Sequence, residues 1–513
     1  MLRPLRNILR LLVIARVLAR HGALQALDDA LAREGASSAF LQVVRFLFGR
    51  GGGSRRPGER LADALGELGP AFIKLGQMLS TRTDLLGEQV AADLSLLQDR
   101  LPPFPAAAAR ATVEAELGQP VDSLFQSFEE QPVSAASIAQ VHFALLPADA
   151  AFPIRQVAVK ILRPGIEQAF QRDLDLLFWL AGIVERTQPR LRRFRPLAVI
   201  REFARSVALE MDLRLEAAAA VELAGNFAED PTYRVPAIDW ERTAKRVLTQ
   251  ERIAGIRMDD RAALLAAGHD IPDILAKAAA IFFNQLFRDG FFHGDQHPGN
   301  MLVDAEGRIG AVDFGIMGRL DRQTRYYLAD MLLGLLERDY RRLADLHFAA
   351  GFVPDDQSHA EFAQALRAIG EPVFGRPLAD ISFARMLGQL FQIATRFDMQ
   401  VQPQLLLLQK NMMMAEGVSR RLDPTLNIWT LAQPLIERWM RDNRGPEARV
   451  ADALESAFET ATRLPRVLRL LERRLETEDE RQRTEETRLR IADRPLGWWL
   501  AGLLLLLLLI HLL

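Results

Sequence analysis

The chain contains no cysteine, and other features that would point to a common class of protein are also missing. Without cysteine, disulfide bonds, zinc–thiolate sites and cysteine nucleophiles are excluded. The net charge is −2 over 513 residues, so no overall charge bias favours a nucleic-acid partner. Because 49% of the residues are hydrophobic, most of the chain is expected to fold, and its length suffices for a two-lobed domain with appendages.

Lysine is rare, since it accounts for five of the 64 basic residues and arginine supplies the rest. Genome composition is the ordinary cause of such a bias. Where lysine remains, its ammonium group is expected to serve as a compact point charge, which the planar guanidinium of arginine does not replace. Two of the five, Lys74 and Lys160, lie in the motifs described below.

The N-terminus lacks the uninterrupted apolar region of a secretory signal peptide. Residues 1–21 carry five arginines among leucine, isoleucine and valine, and Arg10 and Arg16 interrupt any apolar run. This pattern predicts a basic amphipathic helix that binds a membrane surface or another helix. A helix docked on the chain's own domain is an equally good interpretation.

The C-terminus, in contrast, is continuously apolar. Residues 496–513 include leucine at every position from 503 to 509 and begin with Trp498 and Trp499, shortly after Arg494. Eighteen helical residues span roughly 27 Å, close to the thickness of a bilayer core. We expect a single-pass membrane anchor whose basic flank keeps the domain on the cytoplasmic side. A hydrophobic hairpin or a partner-binding helix is the alternative.

The order of predicted elements indicates the fold class. Strands are predicted first and helices later, with a phosphate site between them, which is typical of an α+β, two-lobed protein-kinase-like fold. The predicted divisions, in order, are basic N-terminal helices with a hinge, a helical extension, the nucleotide-binding core, a helical part of the large lobe, a charged linker and the transmembrane helix. Their residues are 1–55, 56–120, 121–345, 346–465, 466–495 and 496–513.

The strongest functional signal is FHGDQHPGN over residues 292–300, followed by VDFG over 312–315. Mg²⁺-bound ATP needs hard oxygen ligands, which kinases supply as a catalytic-loop Asn and the Asp of DFG. A strand, a turn and a second strand between the two motifs would return Asp313 to the side of Asn300. The ordered set, with Asp295, predicts a phosphoryl-transfer site that uses ATP and Mg²⁺.

The nucleotide side of this site is predicted upstream. The segment QVAVK over residues 156–160 alternates like a strand and ends at Lys160, which is expected to bind the α- and β-phosphates. A surface lysine on an edge strand is the alternative. The preceding loop has no glycine, so it is expected to be stiffer than a Gly-rich loop and to restrict the nucleotide chemistry. Its candidate nucleotide-binding residues are Ala135, Ala136, Ser137, Ile138, Ala139 and Gln140.

A predicted long helix over residues 196–220 has an acidic segment. Asp212 and Glu216 share one face at i and i+4, whereas Glu210 lies roughly 120° around the helix. Such a helix offers carboxylates in two directions, one of them toward Lys160. A solvated acidic face is the alternative. Spacing alone does not place Lys74 in the site.

These motifs together resemble the UbiB family of atypical kinase-like proteins. Three stretches carry the specific likeness: KLGQ at 74–77, AASIAQVH at 135–142 and EMD at 210–212. The likeness covers roughly residues 55–345. It implies that the helix with Lys74 and Gln77 packs over the active site, with Lys74 directed at the acidic helix and the nucleotide.

The resemblance also implies individual roles. Lys160 is expected to bind phosphate and to pair with Glu210, while Asp295 stands at the catalytic position. Asn300 and Asp313 are the expected metal ligands. Further residues assigned to the site are Glu251 at the hinge to the nucleotide, and Gln77, Asp212 and Glu216 around it.

The chain departs from the family pattern at four places. Gly294 and Gln296 stand where the catalytic loop usually has Ala and Pro, and Ala219–Ala220 stand where an Asn follows the acidic segment. Gln250 precedes the hinge Glu in place of Met, and the C-terminus has length for one span where close relatives have two. The nucleotide site is intact, but the subfamily and pathway are open.

The function implied by the resemblance is an ATPase or small-molecule kinase that supports isoprenoid-quinone biosynthesis at the bacterial inner membrane. Its expected partners are membrane lipids and a polyprenylated quinone precursor or quinone-biosynthesis enzymes. A phosphotransferase of the aminoglycoside or choline kinase type is one alternative, although it has no use for the membrane tail or Lys74. A nucleotide-binding pseudokinase scaffold is another, favoured by the Ala-rich loop. Zinc binding by His142, His293 and His297 is disfavoured because their segments are predicted loops or strands.

Overall fold

The computed structural model describes residues 2–26, 55–80, 86–97 without 96, 101–188, 195–374 and 403–426, with a few isolated residues besides. The chain divides into two units, Met1–Leu435 and Ile436–Leu513, and nearly all described residues belong to the first. The predicted linker 466–495 and anchor 496–513 lie outside the described residues. Within the described ranges, no helix is both long and apolar enough to cross a bilayer.

The described elements alternate between helical and mixed regions. The helices are α1 Leu2–Arg20, α2 Pro57–Leu68, α3 Pro70–Leu79, α4 Glu88–Ser95, α5 Ala106–Leu117, α6 Val121–Leu124, α7 Ile166–Thr187, α8 Pro196–Glu210, α9 Leu213–Asn226, α10 Arg261–Ala266, α11 Ile271–Phe283, α12 Arg322–Leu336, α13 Tyr340–Ala349, α14 His359–Phe374 and α15 Pro403–Leu422. The strands are β1 Ser127–Phe128, β2 Ser134–Ala135, β3 Ala139–Leu145, β4 Gln156–Leu162, β5 Tyr233–Arg234, β6 Val247–Glu251, β7 Ile256–Arg257, β8 Phe291–His293, β9 Met301–Val303, β10 Ile309–Ala311 and β11 Met317–Arg319.

The small lobe is built on an antiparallel sheet in the order β1-β3-β4-β6, with β2 paired to β3. Successive side chains of a strand point to opposite faces. Val157, Val159 and Ile161 of β4 are fully buried in the apolar cluster that includes α5 and α6. Lys160 therefore points to the opposite face of the sheet. The predicted strand ending at this lysine is confirmed, with β4 continuing two residues further.

The helix predicted over residues 196–220 is interrupted, and the prediction of one continuous helix is wrong. α8 ends at Glu210, and α9 begins after Asp212, whose side chain accepts a hydrogen bond from the backbone nitrogen of Arg214 at 3.2 Å. An Asp at this position satisfies one of the free N–H groups at a helix start and so favours a new helix over continuation of the old one. Glu210 and Glu216 consequently lie on different helices.

The predicted hairpin between the two catalytic motifs is confirmed. β9 pairs antiparallel with β10, within a sheet of order β5-β10-β9-β7. The turn is closed by Asp304, whose Oδ1 accepts hydrogen bonds from the backbone nitrogens of Glu306 at 3.1 Å and Arg308 at 2.9 Å. A second pair, β8 with β11, brackets the catalytic loop.

α1 docks on the rest of the domain, as one of the two interpretations of the N-terminus predicts. Ile14, Ala15 and Ala19 are buried along one side of the helix. The guanidinium of Arg10 lies 2.8 Å from Asp173 on α7 and donates to the carbonyl of Leu68 at the end of α2. α1 thereby ties the helical extension to the small lobe.

Candidate active site

Lys160 is the centre of the site. Its Nζ donates to Oε1 of Glu216 at 2.7 Å and to Oδ2 of Asp313 at 3.0 Å. The side chain of Glu216 is 7% exposed, and it also accepts a hydrogen bond from the backbone nitrogen of Phe314. The predicted pairing of Lys160 with Glu210 is wrong, because the break before α9 gives the inward position to Glu216. This contact joins β4 of the small lobe to the DFG segment of the large lobe.

The charges of this trio are set by mutual compensation. Burial alone would lower the pKa of Lys160, but the carboxylates of Asp313 and Glu216 raise it above its ordinary value. Burial opposes ionisation of Asp313, yet Lys160 and the backbone N–H of Gly315 hold its pKa below the usual range. Burial raises the pKa of Glu216, against the pull of Lys160. Lys160 and Asp313 are therefore both charged at neutral pH.

Lys74 forms a separate ion pair above this centre. Its Nζ lies 2.8 Å from Oε2 of Glu210, and the two side chains are 12% and 15% exposed. The resemblance, and not spacing, predicted that Lys74 faces the acidic segment. Gln77, also on α3, is half-buried. The carboxylate of Asp212 does not join the site, since it caps α9 and pairs with Arg214, which lowers its pKa.

The catalytic loop is ordered by hydrogen bonds around its histidine. The backbone nitrogen of Asp295 donates to Nδ1 of His293 at 3.0 Å, and Nε2 of the same ring donates to the carbonyl of Asp313. This arrangement needs a neutral ring with its proton on Nε2, which agrees with burial lowering the pKa of His293. A Cβ at Gly294 would lie 2.8 Å from Cγ2 of Ile316, so the packing of Ile316 accounts for glycine at this departure from the family pattern.

Asn300 and Asp313 fit a phosphate-held magnesium ion. The Nδ2 of Asn300 donates to the carbonyl of Asp295 at 3.2 Å, so its Oδ1 is the atom able to ligate a cation. Among the described residues there is no group of three or more His, Cys, Asp or Glu side chains suited to a metal. Mg²⁺ bound with ATP needs only one or two protein ligands besides phosphates and water, so this donor pair suits it.

The Ala-rich loop is a packed hairpin. The backbone nitrogen of Ala136 donates to the carbonyl of Ala139 at 2.8 Å, and Arg163 donates to the carbonyls of Ala136 and Ser137, each at 3.3 Å. Ser137, Ile138 and Ala139 are buried, while Ala135 and Ala136 are partly exposed. A hairpin tied down in this way agrees with the stiffness expected of a loop without glycine.

Three glutamine and glutamate side chains hold the lobes together. Gln140 accepts a hydrogen bond from the backbone nitrogen of Phe104 at 3.0 Å and donates to its carbonyl at 3.2 Å. Gln250 donates to the carbonyl of Val312 at 2.8 Å, next to Asp313. Glu251 accepts from the backbone nitrogen of Ala237 and pairs with Arg234. Nucleotide contacts by Gln140 and Glu251 stay predictions.

Two site residues were missed by sequence reasoning, both on α15. Lys410 Nζ lies 2.6 Å from Oδ1 of Asp295, and Asn411 bonds to the backbone of the catalytic loop. No motif marks them, since they lie 115 and more residues from the loop. The rarity of lysine was the available signal, because three of the five lysines, Lys74, Lys160 and Lys410, stand at this site.

The fold and the site together define a kinase-like domain with mixed helix and sheet. The model of the ABC1 atypical kinase-like domain matches residues 96–347, and that of the UbiB helical domain matches residues 366–427. A probable protein kinase UbiB of Marinobacter nauticus is 45% identical over 418 residues, which cover 80% of this chain and 76% of that protein.

The namesake protein of Xanthomonas axonopodis pv. citri is 43% identical over 476 residues, covering 91% of this chain and 85% of its own length. A solved complex of a Mycobacterium tuberculosis protein with erythromycin is 27% identical, covers 72% of this chain and 93% of that chain, and has a TM-score of 0.49. The chain belongs to the UbiB family of atypical kinase-like proteins.

Proposed function

We propose that this chain is a membrane-associated atypical kinase or ATPase that binds Mg-ATP between its lobes and supports ubiquinone biosynthesis. The observation that carries the proposal is the contact of Lys160 with Glu216 and Asp313, because it joins the phosphate-binding strand to the metal-binding segment. Membership of the UbiB family supports the role in ubiquinone biosynthesis.

In the proposed reaction, the oxygen of water or of a hydroxyl-bearing acceptor attacks the γ-phosphorus of ATP. The bond from that phosphorus to the bridging oxygen of ADP breaks, and the proton of the attacking oxygen passes to the carboxylate of Asp295. Lys160 offers its charge to the α- and β-phosphates. Mg²⁺, held by Asn300 and Asp313 when bound, would neutralise charge on the phosphates. The acceptor class we favour is a polyprenylated quinone precursor.

A pseudokinase scaffold is the competing function that one observation favours. The hairpin that would cover the phosphates is packed, with Ser137 and Ile138 buried. Against a scaffold stands the complete set of polar groups, since Lys160, Asp295, Asn300 and Asp313 occupy one cleft. A scaffold would bind ATP without consuming it, whereas the proposed enzyme turns it over.

Quinone content tests the proposal in the cell. In a strain that lacks this gene, we expect ubiquinone, measured by lipid extraction and mass spectrometry, to fall. Wild-type protein should restore it, and Asp313→Asn should not, because the amide removes the charge that is expected to bind Mg²⁺. Unchanged quinone on deletion would contradict the pathway, and full restoration by Asp313→Asn would contradict the need for metal-nucleotide chemistry.

We further propose that α1 lies on the surface of the bacterial inner membrane, with the kinase-like domain on the cytoplasmic side. Ile8, Leu9, Leu12 and Val13 are 46–58% exposed on the helix side opposite the docked residues. α1 carries arginines and no acidic residue. An apolar strip on a basic helix is suited to the interface of a bilayer that contains anionic lipid. The C-terminal anchor at 496–513 would hold the same domain nearby.

Because the chain has no cysteine, a single introduced thiol reports the depth of α1 in the membrane. Leu9→Cys and Val133→Cys replace side chains of similar exposure, 58% and 53%. With full-length protein in phosphatidylglycerol-containing vesicles, we expect a fluorophore at position 9 to be shielded from aqueous iodide and one at position 133 to be quenched. Equal quenching at both positions would contradict membrane contact by α1.

A further inference from the structure

α15 contacts the catalytic loop on both sides of Asp295. Asn411 is fully buried, and its Nδ2 donates to the carbonyl of His293 at 2.6 Å. Its Oδ1 accepts a hydrogen bond from the backbone nitrogen of Gln296 at 3.2 Å. One side chain therefore fixes the backbone immediately before and after Asp295. The backbone position of the carboxylate is set, but the orientation of the carboxylate itself is not set by these bonds.

Lys410, the neighbouring residue, acts on the carboxylate. Its Nζ lies 2.6 Å from Oδ1 of Asp295, with the two side chains 41% and 29% exposed. Ion pairs this exposed contribute about 0–1 kcal/mol to stability, so the pair is a weak reason for the domain to stay folded. It does hold the end of the Asp295 side chain in one orientation, directly beside the rigid loop.

The loop has no other positive charge of its own. Its His293 is neutral, since Nδ1 accepts a hydrogen bond from Asp295 and Nε2 donates to Asp313. Lys160 is occupied by Glu216 and Asp313. Among the residues that the structure describes, Lys410 is the cation recorded against the carboxylate of Asp295. The two ammonium groups thus divide the cleft between the phosphate side and the acceptor side.

We infer that Lys410 is a positioning residue for phosphoryl transfer, which holds the carboxylate of Asp295 toward the attacking oxygen. The inference rests on the proposed function and deepens it, because it assigns a role in the reaction to the helix that follows the kinase-like core. Lysine suits the task because its ammonium is a point charge that leaves Oδ2 of Asp295 accessible to an acceptor, whereas a guanidinium fork would engage both oxygens.

The test compares steady-state ATP turnover by the purified full-length protein and its variants. We expect Lys410→Met to lower kcat by about thirtyfold, because a misplaced base costs on the order of a hundredfold, while KM for ATP changes less than about twofold. Lys410→Arg should recover most of the loss. Lys245→Met is the matched control, since Lys245 is also half-exposed and pairs with Glu167 at 2.5 Å, and it should turn over ATP like the wild type.

A double variant separates positioning from direct contact with the phosphate. If Lys410 acts through Asp295, adding Lys410→Met to Asp295→Asn lowers turnover no further. Multiplicative losses would overturn the inference, as would Lys410→Met retaining wild-type kcat beside an inactive Asp313→Asn protein. Wild-type and Asp313→Asn proteins that are equally unable to turn over ATP would instead overturn the proposed function, and the inference with it.

Discussion

Replacing Lys160 with methionine is expected to abolish ATP turnover and to lower the free energy of unfolding by about 3 kcal/mol. Glu216 is buried and would lose its cation, and removal of one partner of a buried pair costs about 3–5 kcal/mol. Thermal and denaturant unfolding of the detergent-solubilised chain measures the loss. Lys277→Met, which removes a lysine paired with Asp273 at 2.6 Å outside the site, should change stability by less than about 1 kcal/mol.

The pH dependence of this deficit has a definite sign. Burial raises the pKa of Glu216, so its protonated form is favoured in the folded protein, and removing Lys160 raises that pKa further. The deficit of Lys160→Met should be largest above the raised pKa and shrink as the pH falls and Glu216 takes up a proton. A deficit that grows toward acid pH would contradict the assigned charges.

A second variant separates stability from function. Lys160→Met combined with Glu216→Leu removes the orphaned carboxylate and should recover much of the stability, because a well-packed apolar replacement of a buried ion pair is often neutral. Turnover should stay absent, since the phosphate-binding charge is gone. Recovery of turnover in the double variant would show that Lys160 serves the fold alone.

Asp295→Asn is expected to lower kcat by about 10²- to 10⁴-fold while leaving ATP affinity nearly unchanged. The amide keeps the shape of the side chain but is a poor acceptor for the proton of the attacking oxygen. Its contacts in the structure are with Lys410 and the loop, which explains why nucleotide affinity should persist. Steady-state turnover and equilibrium ATP titration on the same preparation measure the two quantities.

Asp175→Asn provides the matched control for this prediction. The Asp175 side chain is 31% exposed and pairs with Arg6 at 3.0 Å, close to the 29% exposure and single ion pair of Asp295. It lies on α7, outside the catalytic loop, and its variant should keep full turnover. Asp295→Asn turning over ATP at the control's rate would rule out this carboxylate as the base and return the pseudokinase and ATP-binding alternatives to the front.

Local patterns in the sequence predicted the parts of the site whose geometry is local. The strand ending at Lys160 follows from alternation, and the hairpin between Asn300 and Asp313 follows from two short apolar runs around an Asp-Ala-Glu-Gly turn. The two-lobed kinase-like class follows from the order of these elements. α1 was predicted as a helix but with two partners left open, and the structure shows its docked face.

The failures have physical causes that periodicity does not contain. The step from α8 to α9 depends on Asp212 capping a new helix, and this step exchanged the partner of Lys160 from Glu210 to Glu216. Helical spacing treats the segment as one rod and so places the carboxylates wrongly. Lys410 reaches Asp295 from a helix more than a hundred residues away, and such a contact is a property of the tertiary fold alone.

Binding of ATP with and without Mg²⁺ tests the central claim most directly. Calorimetric titration of the purified full-length chain should show tighter binding of Mg-ATP than of ATP in EDTA. The difference should disappear in Asp313→Asn and persist in Asp175→Asn, because Asp313 and Asn300 are the oxygen donors that the metal would use. Equal affinity with and without Mg²⁺ in the wild type, or an unchanged Mg²⁺ dependence in Asp313→Asn, would contradict a magnesium–nucleotide site in this cleft.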